Sequence, residues 1–356
     1  MQYEKRLKRF QAWLAEQGDE YDAVLISDRS NIRYLSGFTG TFAYLVISRD
    51  KAFILTDSRY TMQCPHFTLE KLARYTPPMS IAKLCERENW AVLAFERHDL
   101  SFDFYDRLKS CFGRANLIPL EQAVERFRAV KDEEEIALIR TAEHIGDAAF
   151  RQVLELVRPG VTERELAFEL ELAMRRAGAS GLSFETIVAS GVRSAMPHGV
   201  ASNKKIERGD LVVFDFGCVY EGYCSDMTRT IGVGTLSEAQ KDLYALVLKA
   251  QQSALAAARA GVIGEKMQDL VQAVFDKAGF GSYFGHGLGH SVGLEIHEEP
   301  RFSRNVKEQL PAGTVISVEP GLYVPGIGGV RIEDLVVLRE GGCENLTTSP
   351  KELLIV

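Results

Sequence analysis

Hydrophobic and polar positions in the first part of the chain alternate between helix-like and strand-like stretches. An amphipathic opening over residues 1–10 is followed by apolar runs at 21–27, 42–48 and 52–56, each bounded by turn-forming residues. Short apolar runs of this kind are typical of buried strands. The pattern therefore predicts a small α/β domain over residues 1–125.

A second domain begins where this strand character gives way to the charged segment ERFRAVKDEEE. Asp132 precedes Glu135 by three residues, which is the spacing of a capping pair at the start of a helix. We place the domain boundary near residue 125 and assign residues 126–356 to the second domain, because the chain is long enough for two hydrophobic cores.

One order of elements occurs twice in this second domain, with two helices and then three strands in each pass. Capping pairs mark a helix start in each pass: Thr162 with Glu165, then Ser237 with Gln240. The predicted first pass has a helix to Val157, a helix from Thr162 and strands near 184–190, 211–217 and 224–232. The predicted second pass has a helix to Gly261, a helix from about Gly264 to Ala278 and strands near 290–296, 314–319 and 330–338. The pattern predicts an α+β domain with a pseudo-twofold repeat of helices and antiparallel strands.

Two aspartates lie in apolar, strand-like segments, where an isolated charge is costly to bury. Asp215 lies in LVVFDFGCVY and Asp226 in YCSDMTRTIGV, with a turn predicted at 220–222. Their numbers sum to an odd value, as do those of any two residues paired across an even-length hairpin loop, so both carboxylates share one face. We expect them opposite each other or one diagonal step apart, about 5–8 Å at the backbone, which suits carboxylates converging on adjacent cations.

Glu319 in TVISVEPG and Glu333 in GVRIEDLVVL repeat this arrangement. Their numbers sum to an even value, so the two side chains share a face only across an odd-length loop or a bulge. A loop of three or five residues centred on Gly326 would satisfy this condition, since glycine tolerates the positive φ that such loops require.

Histidines cluster in the second domain: four of the seven follow residue 197, namely His198, His286, His290 and His297. His286 and His290 are four residues apart. The glycines around them disfavour a helix, but an extended segment also keeps this spacing on one face. The spacing does not decide between them as a metal ligand.

A buried ion pair is the alternative explanation for any single one of these carboxylates, and Arg229 and Arg331 are close enough in sequence to be partners. Four acids on apolar strands beside a histidine cluster are harder to explain as separate ion pairs, because buried ion pairs rarely add stability over apolar packing. The set therefore predicts a metal site.

Charge and cysteine content narrow the class of protein. The net charge of −7 gives no broad attraction to nucleic acid or anionic membranes, and we expect neither as a partner. The first residues lack the apolar region of a secretory signal, and no membrane span is predicted. The six cysteines are scattered without a C-x-x-C pair, so we expect free thiols in a cytoplasmic protein.

Five segments in order, FDFG, CSDMTRT, HGLGHSVGLEIHE, VEPGLY and GVRIEDL, resemble the Xaa-Pro peptidases, the group of aminopeptidase P and prolidase. The resemblance covers essentially the whole chain. It implies a pita-bread catalytic domain after a creatinase/prolidase-like α/β domain, and hydrolysis of the peptide bond that precedes proline. It also suggests a homodimer acting on proline-containing dipeptides or longer peptides.

The same resemblance implies five ligands for two divalent metal ions. Asp215 would be a bidentate ligand of one ion, and Asp226 and Glu333 would bridge the two. His290 and Glu319 would bind the other ion. Mainly oxygen ligands with one imidazole suit Mn²⁺, our first expectation, and also Co²⁺, Zn²⁺ or Fe²⁺.

Further residues receive roles around the substrate. By the resemblance, His198 and His297 would contact the substrate or the tetrahedral intermediate, His286 would line the pocket and Arg331 would support the carboxylates. Arg301, just past the histidine motif, is a candidate for binding a substrate carboxylate, although an exposed loop arginine is an equal alternative.

A hydroxide shared by the two ions would be the nucleophile, since paired cations lower the pKa of water from 15.7 to about neutral. Glu319 would relay the water proton to the leaving proline nitrogen while the two histidines stabilise the oxyanion. The alternative is a metal-free creatinase-like hydrolase or a non-catalytic pita-bread binding protein, which the five filled ligand positions disfavour.

Overall fold

The computed structural model describes residues 2–63, 67–72, 76–113 and 116–356. The chain divides into two compact units, Met1–Arg128 (unit 1) and Ala129–Val356 (unit 2). The division into compact units does not test the domain boundary that the sequence places near residue 125, which stays a prediction. Cys64 lies outside the described residues, and the other five cysteines are free thiols.

Unit 1 is an α/β unit built on one mixed sheet. Its elements are α1 (Tyr3–Glu16), β1 (Ala23–Ile26), α2 (Arg29–Ser36), β2 (Ala43–Ser48), β3 (Ala52–Thr56), β4 (Thr68–Lys71), α3 (Pro77–Arg87), β5 (Val92–Glu96), α4 (Phe102–Cys111), β6 (Asn116–Leu120) and α5 (Glu125–Arg128). The sheet order is β4-β3-β2-β1-β5-β6, with β1 antiparallel to β2 and parallel to β5. The three predicted strands correspond to β1, β2 and β3.

Unit 2 repeats one arrangement of helices and antiparallel strands. Its first half contains α6 (Glu133–Leu154), α7 (Glu163–Arg176), β7 (Gly181–Leu182), β8 (Ile187–Ser190), β9 (Leu211–Phe216), β10 (Cys218–Tyr220), β11 (Tyr223–Cys224) and β12 (Met227–Gly232). Its second half contains α8 (Glu238–Ala257), α9 (Gly264–Lys277), β13 (Gly289–Ser291), β14 (Glu298–Phe302), β15 (Val315–Val318), β16 (Gly321–Val324), β17 (Gly328–Arg331), β18 (Asp334–Arg339) and β19 (Gly342–Asn345). The sheets have the orders β11-β10-β7, β12-β9-β8, β14-β13-β15-β18-β19 and β16-β17.

The helices of unit 2 begin where their capping residues predict. Three complete capping boxes are present: Asp132 with Glu135, Thr162 with Glu165, and Ser237 with Gln240. Each box satisfies two backbone N–H groups that the first helical turn leaves without partners. Two helices end earlier than predicted, α6 at Leu154 and α8 at Ala257.

The first hairpin confirms the parity argument for the aspartates. Tyr220 pairs with Tyr223 across a two-residue turn in which both central residues have positive φ, the geometry that matches strand twist. The same register continues into β9 and β12, where Asp215 lies opposite Thr228. Asp226 is two positions before Thr228 and is therefore one diagonal step from Asp215 on the same face.

The second hairpin confirms the odd-length loop. Val324 pairs with Gly328, which leaves a three-residue loop centred on Gly326, whose φ is 82°. The pairing of β15 with β18 has the same register, so Glu319 and Glu333 lie opposite each other where the ladder is interrupted. Each half of unit 2 thus places an acidic pair on one face of its central hairpin.

These breaks and one turn correct the predicted strands. The predicted strands at 224–232 and 330–338 are each interrupted, at 225–226 and 332–333. The predicted strand 290–296 is wrong beyond Ser291, because the chain turns back and Gly293 N donates to Glu295 O at 3.0 Å.

The hydrophobic core of each half lies between its helices and its strands. Phe150 on α6 packs against Phe214 and Phe216 on β9 in the first half, and Val247 and Phe275 belong to the core of the second half. Burying each such side chain contributes about 1.5–3 kcal/mol. Among the described residues, no helix is long and apolar enough to cross a membrane.

Candidate metal centre

One cavity of about 660 Å³ in unit 2 brings together the five predicted metal ligands and the five predicted substrate-contacting residues. Its lining includes Asp215, Asp226, His290, Glu319, Glu333, His198, His286, His297, Arg301 and Arg331. A cavity of this size is typical of sites for small ligands.

A carboxylate and imidazole cluster lies at the two hairpin breaks. Potential ligand atoms of Asp226, His290 and Glu333 all lie within 4.8 Å of one another. His290 Nε2 is 3.4 Å from Asp226 Oδ2 and 3.4 Å from Glu319 Oε1. The hydrogen-bonding register of the strands therefore places acids from both halves of unit 2 around one imidazole.

Burial and mutual repulsion make this cluster costly in its charged form. Burial and then the neighbouring carboxylates, Glu333 first, raise the pKa of Asp226 well above its usual range. Burial likewise raises the pKa of Glu333, with Glu319 as the next cause, and burial raises the pKa of Glu319 itself. Burial lowers the pKa of His290, which favours the neutral imidazole that binds metals.

The cluster fits a divalent cation because its negative charge is not balanced by the protein. Among the described residues, no lysine or arginine forms an ion pair with Asp226, Glu319 or Glu333. Thr228 Oγ1 donates to Glu333 Oε2 at 2.7 Å, while the buried Glu333 Oε1 has no hydrogen-bond partner in the described chain. A buried acceptor without a donor is costly, and a bound cation would satisfy it.

Arg331 brings a guanidinium into the cluster. Its Nη2 pairs with Asp215 Oδ2, its Nε donates to Thr228 Oγ1 at 2.9 Å, and its Nη1 donates to Tyr323 OH at 2.6 Å. Nη1 also donates to the backbone oxygen of Pro197 at 3.1 Å. Asp215 therefore has an ion-pair partner as well as a place in the cluster, and Arg331 fixes the position of its carboxylate.

Arg229, the second arginine considered as a partner, supports the cluster from outside the cavity. It pairs with Asp334 through Nη2 at 2.7 Å and donates to the carbonyl oxygen of Glu333. Two further donations reach the carbonyls of Ser349 at 2.7 Å and Pro350 at 3.0 Å, the latter 121 residues away in sequence. A distant segment thus fixes the backbone that carries Glu333.

The histidines occupy different positions around the cavity. The His297 ring lies 4.5 Å from the His290 ring, centroid to centroid, in an edge-to-face arrangement. His286 Nε2 lies 3.2 Å from Tyr323 OH, whereas His198 is exposed on the segment between β8 and β9. The structure therefore separates His286, which contacts a tyrosine, from His290, which lies among the carboxylates.

Arg301 on β14 reaches the cavity with a partly exposed side chain. Its Nε donates to Glu299 at 2.9 Å, and about two fifths of each side chain is exposed. An ion pair exposed to this degree contributes little to stability, about 0–1 kcal/mol. Arg301 can therefore release Glu299 at little cost and pair with another carboxylate that enters the cavity.

Two residues of this network escaped the sequence reasoning. Thr228 lies two residues after Asp226 and Tyr323 lies four residues after Glu319, so the period-two rule places each on the same strand face as its acid. Parity could therefore have identified both as residues that contact the site.

Removing metal should make the stability of this protein fall with rising pH. Asp226 and Glu333 have raised pKa values in the folded chain, so the folded state retains protons that unfolding would release. The resulting destabilisation is absent below the ordinary carboxyl pKa of about 4 and grows as pH rises towards the raised values. Denaturant unfolding in chelator between about pH 5.5 and 8 measures this slope.

Saturating Mn²⁺ should reverse the trend, because metal ligands bind in their deprotonated form. At one fixed metal concentration, the gain in unfolding free energy should be larger at pH 8 than at pH 5.5, because the Kd for metal is lower at the higher pH. The gain is about 2.7 kcal/mol where that concentration is 100 times Kd. Parallel pH profiles with and without metal would contradict this expectation.

Similar proteins share this architecture along nearly the whole chain. Residues 6–130 match the creatinase/prolidase N-terminal domain, and residues 137–340 match metallopeptidase family M24. The uncharacterized peptidase YqhT of Bacillus subtilis is 42% identical over 338 residues, which cover 94% of this chain and 96% of that protein.

Two solved structures are similar in both fold and sequence. The Xaa-Pro dipeptidase from Bacillus anthracis has a TM-score of 0.95 at 41% identity, covering 99% of this chain and 100% of that one. The X-Pro aminopeptidase from Thermotoga maritima has a TM-score of 0.91 at 40% identity, covering 98% and 100%. The chain is thus about equally similar in sequence to a protein named a dipeptidase and to one named an aminopeptidase.

Proposed function

This chain belongs to metallopeptidase family M24, and we propose that it hydrolyses the peptide bond on the amino side of proline in short peptides. The predicted resemblance to Xaa-Pro peptidases is confirmed, as are the pita-bread architecture and the assignment as a metallopeptidase. The observation that carries the substrate proposal is one cavity that contains both the acidic cluster and the ring of histidines, in a chain similar to Xaa-Pro peptidases.

Divalent metal ions belong to the chemistry of this family, and five residues are the proposed ligands: Asp215, Asp226, His290, Glu319 and Glu333. Asp226 and Glu333 are the proposed bridging ligands, as the family resemblance implies. They are the most deeply buried acids of the set, and the Glu333 charge raises the pKa of Asp226. Mn²⁺ is the proposed ion, since oxygen ligands with one imidazole suit it. When bound, the ions would acidify a water molecule and polarise the scissile carbonyl.

Glu319 is the proposed proton carrier between water and the leaving group. Ser317 Oγ donates to Glu319 Oε1 at 3.1 Å, which fixes the carboxylate that would carry the proton. Cleavage before proline releases a secondary amine, and its nitrogen must gain a proton as the C–N bond breaks. Glu319 would take that proton from the attacking water, so no external acid is required.

His297 and His198 are the proposed donors to the oxyanion that forms at the attacked carbonyl. Burial, followed by nearby His290 and Arg301, lowers the pKa of His297, so its ring is neutral near pH 7 and has one N–H to donate. A positioned donor of this kind contributes about 3 kcal/mol to transition-state stabilisation. His286 would not contact the carbonyl directly and would instead act through Tyr323, whose OH group it contacts.

Arg301 is the proposed contact for the carboxylate at the end of a dipeptide substrate. Its guanidinium lines the cavity and is held only by a partly exposed ion pair. A dipeptide places its terminal carboxylate on the proline itself, whereas a longer peptide places it further away. A homodimer and a cytoplasmic location stay predictions from the sequence.

Hydrolysis of matched substrates tests the proposal. We expect the purified protein to release Xaa from Xaa-Pro dipeptides or Xaa-Pro-Yaa tripeptides, to lose this activity in chelator and to regain it with Mn²⁺, Co²⁺ or Zn²⁺. The ratio of dipeptide to tripeptide turnover distinguishes a dipeptidase from an aminopeptidase. The Asp226→Asn variant, purified in the same way, shows how much hydrolysis comes from a contaminating peptidase. Xaa-Ala peptides, which should not be cleaved, show whether proline is required. No hydrolysis with any metal would favour the non-catalytic alternative.

A further inference from the structure

The segment that carries His198 is the loop over residues 191–201, between β8 and Ser202, which begins with a short 3-10 helix (Gly191–Ala195). His198 is exposed, and its ring makes no hydrogen bond to another residue of the described chain. The loop also exposes apolar side chains, with Val192 76% exposed and Met196 51% exposed. Packing of the loop's own tip therefore does not fix the imidazole, and its position depends on how the backbone is held.

One buried carboxylate holds both ends of this loop. Glu163, the first residue of α7, is fully buried and accepts from Ser190 N at 2.8 Å and Ser190 Oγ at 2.9 Å through Oε1. Its Oε2 accepts from Ser202 N at 3.0 Å and Ser202 Oγ at 2.6 Å. Residues on either side of the loop are thus joined through a single side chain.

Arg193 extends the same clamp into the loop. Its Nε donates to Glu163 Oε2 at 3.0 Å, and its Nη2 donates to the carbonyl oxygen of Val200 at 2.6 Å. Arg331 Nη1 adds a contact at Pro197 O, next to His198. The backbone on both sides of His198 is therefore tied either to Glu163 or to the arginine that contacts Asp215.

The carboxylate is ionised despite its burial. Burial would raise the pKa of Glu163, but the hydrogen bonds from Ser202 and Ser190 outweigh it and lower the pKa below the usual range. A charged acceptor makes stronger hydrogen bonds than a neutral one, so the clamp depends on this charge. The acid is satisfied without a metal ion, which distinguishes it from the acids in the cavity.

We propose that Glu163 is a positioning residue for His198, holding the 191–201 loop so that the imidazole reaches the reacting carbonyl. This inference rests on the proposed role of His198 as an oxyanion donor. Glu163 does not touch the substrate and acts only through the loop. Because a displacement of about 1 Å at a reacting group can cost 10²-fold in rate, loosening the clamp reduces catalysis while the ligand cluster stays intact.

A double-mutant cycle tests this coupling. Glu163→Gln keeps the size of the side chain but replaces one acceptor with an NH₂ group that faces donors. We expect the kcat of Glu163→Gln to be about 10- to 100-fold lower than that of the wild type, with unchanged metal content. The kcat of His198→Ala should be reduced at least as much. The double variant should be no slower than His198→Ala alone, because both changes remove the same contribution.

Control variants separate this effect from a loss of fold. Ser237→Ala removes the N-cap of α8, away from the loop and from Glu163, and it should lower the melting temperature but leave kcat unchanged. If Glu163→Gln fails to fold, Ser202→Ala removes one clamp bond and should give a smaller fall in kcat that is likewise absent in the His198→Ala background.

The outcomes distinguish the two proposals. Full turnover by His198→Ala would overturn the role assigned to His198, and with it the coupling. A slow His198→Ala beside a fully active Glu163→Gln would overturn the clamp alone. Losses that multiply in the double variant would show that Glu163 acts by a route other than His198.

Discussion

Replacing Asp226 with asparagine should reduce metal content and lower kcat/KM by about 10³-fold or more. The side chain keeps its size but loses the charge that would bridge two cations, and the polarisation such ions supply is worth several kcal/mol, with about 1.4 kcal/mol for each factor of ten. Metal analysis of the dialysed protein, alongside turnover of a Xaa-Pro dipeptide, measures both effects.

The same variant should not be destabilised when metal is absent. Burial and four neighbouring acids make the Asp226 charge unfavourable in the metal-free fold, so a neutral amide should leave the unfolding free energy in chelator equal or higher. Glu185→Gln is the matched control, because Glu185 lines the cavity outside the cluster and its loss should leave metal content unchanged. Full metal occupancy in Asp226→Asn would overturn its assignment as a ligand.

Replacing His297 with alanine should lower kcat by about 10²- to 10³-fold while metal content stays at the wild-type value. The lost N–H would otherwise donate to the oxyanion, a contribution of about 3–4 kcal/mol. Because His297 contacts the His290 ring, metal analysis must accompany the kinetics so that a displaced ligand is recognised. Turnover at saturating dipeptide is the measurement.

His144 provides the control for this histidine. It is exposed on α6 and does not line the cavity, so His144→Ala should keep full turnover. Wild-type kcat in His297→Ala would show that its assigned role is wrong. A higher KM with unchanged kcat would instead show that His297 binds the substrate in the ground state and does not specifically stabilise the transition state.

Local rules predicted the geometry of both acidic pairs. Side chains alternate along a strand with a period of two, so the numbers of Asp215 and Asp226 fixed their common face once an even-length turn was assumed. For Glu319 and Glu333, the glycine at 326 indicated where the odd-length loop would lie. Both arguments needed only the sequence between the paired residues.

Long-range contacts were beyond the reach of such rules. The interruptions beside Asp226 and Glu333 arise where the two hairpins meet, as shown by Glu333 N donating to Thr228 O across 105 residues. Glu163 likewise carries no local sign of its role, because its partners lie at 190–202 and its position at a helix start is ordinary for an acid. Strand β14 was missed because its polar sequence gives no apolar alternation.

The contacts of Arg229 with Ser349 and Pro350 also set an order of events during protein synthesis. The ribosome delivers Asp215 and Asp226 first, Glu333 about a hundred residues later, and the carbonyls that support its backbone later still. A nascent chain that ends between these points holds two acids without their counterparts or their scaffold. Since chains fold from the N-terminus as they emerge, the acidic cluster and its backbone support are complete only after translation has passed Pro350.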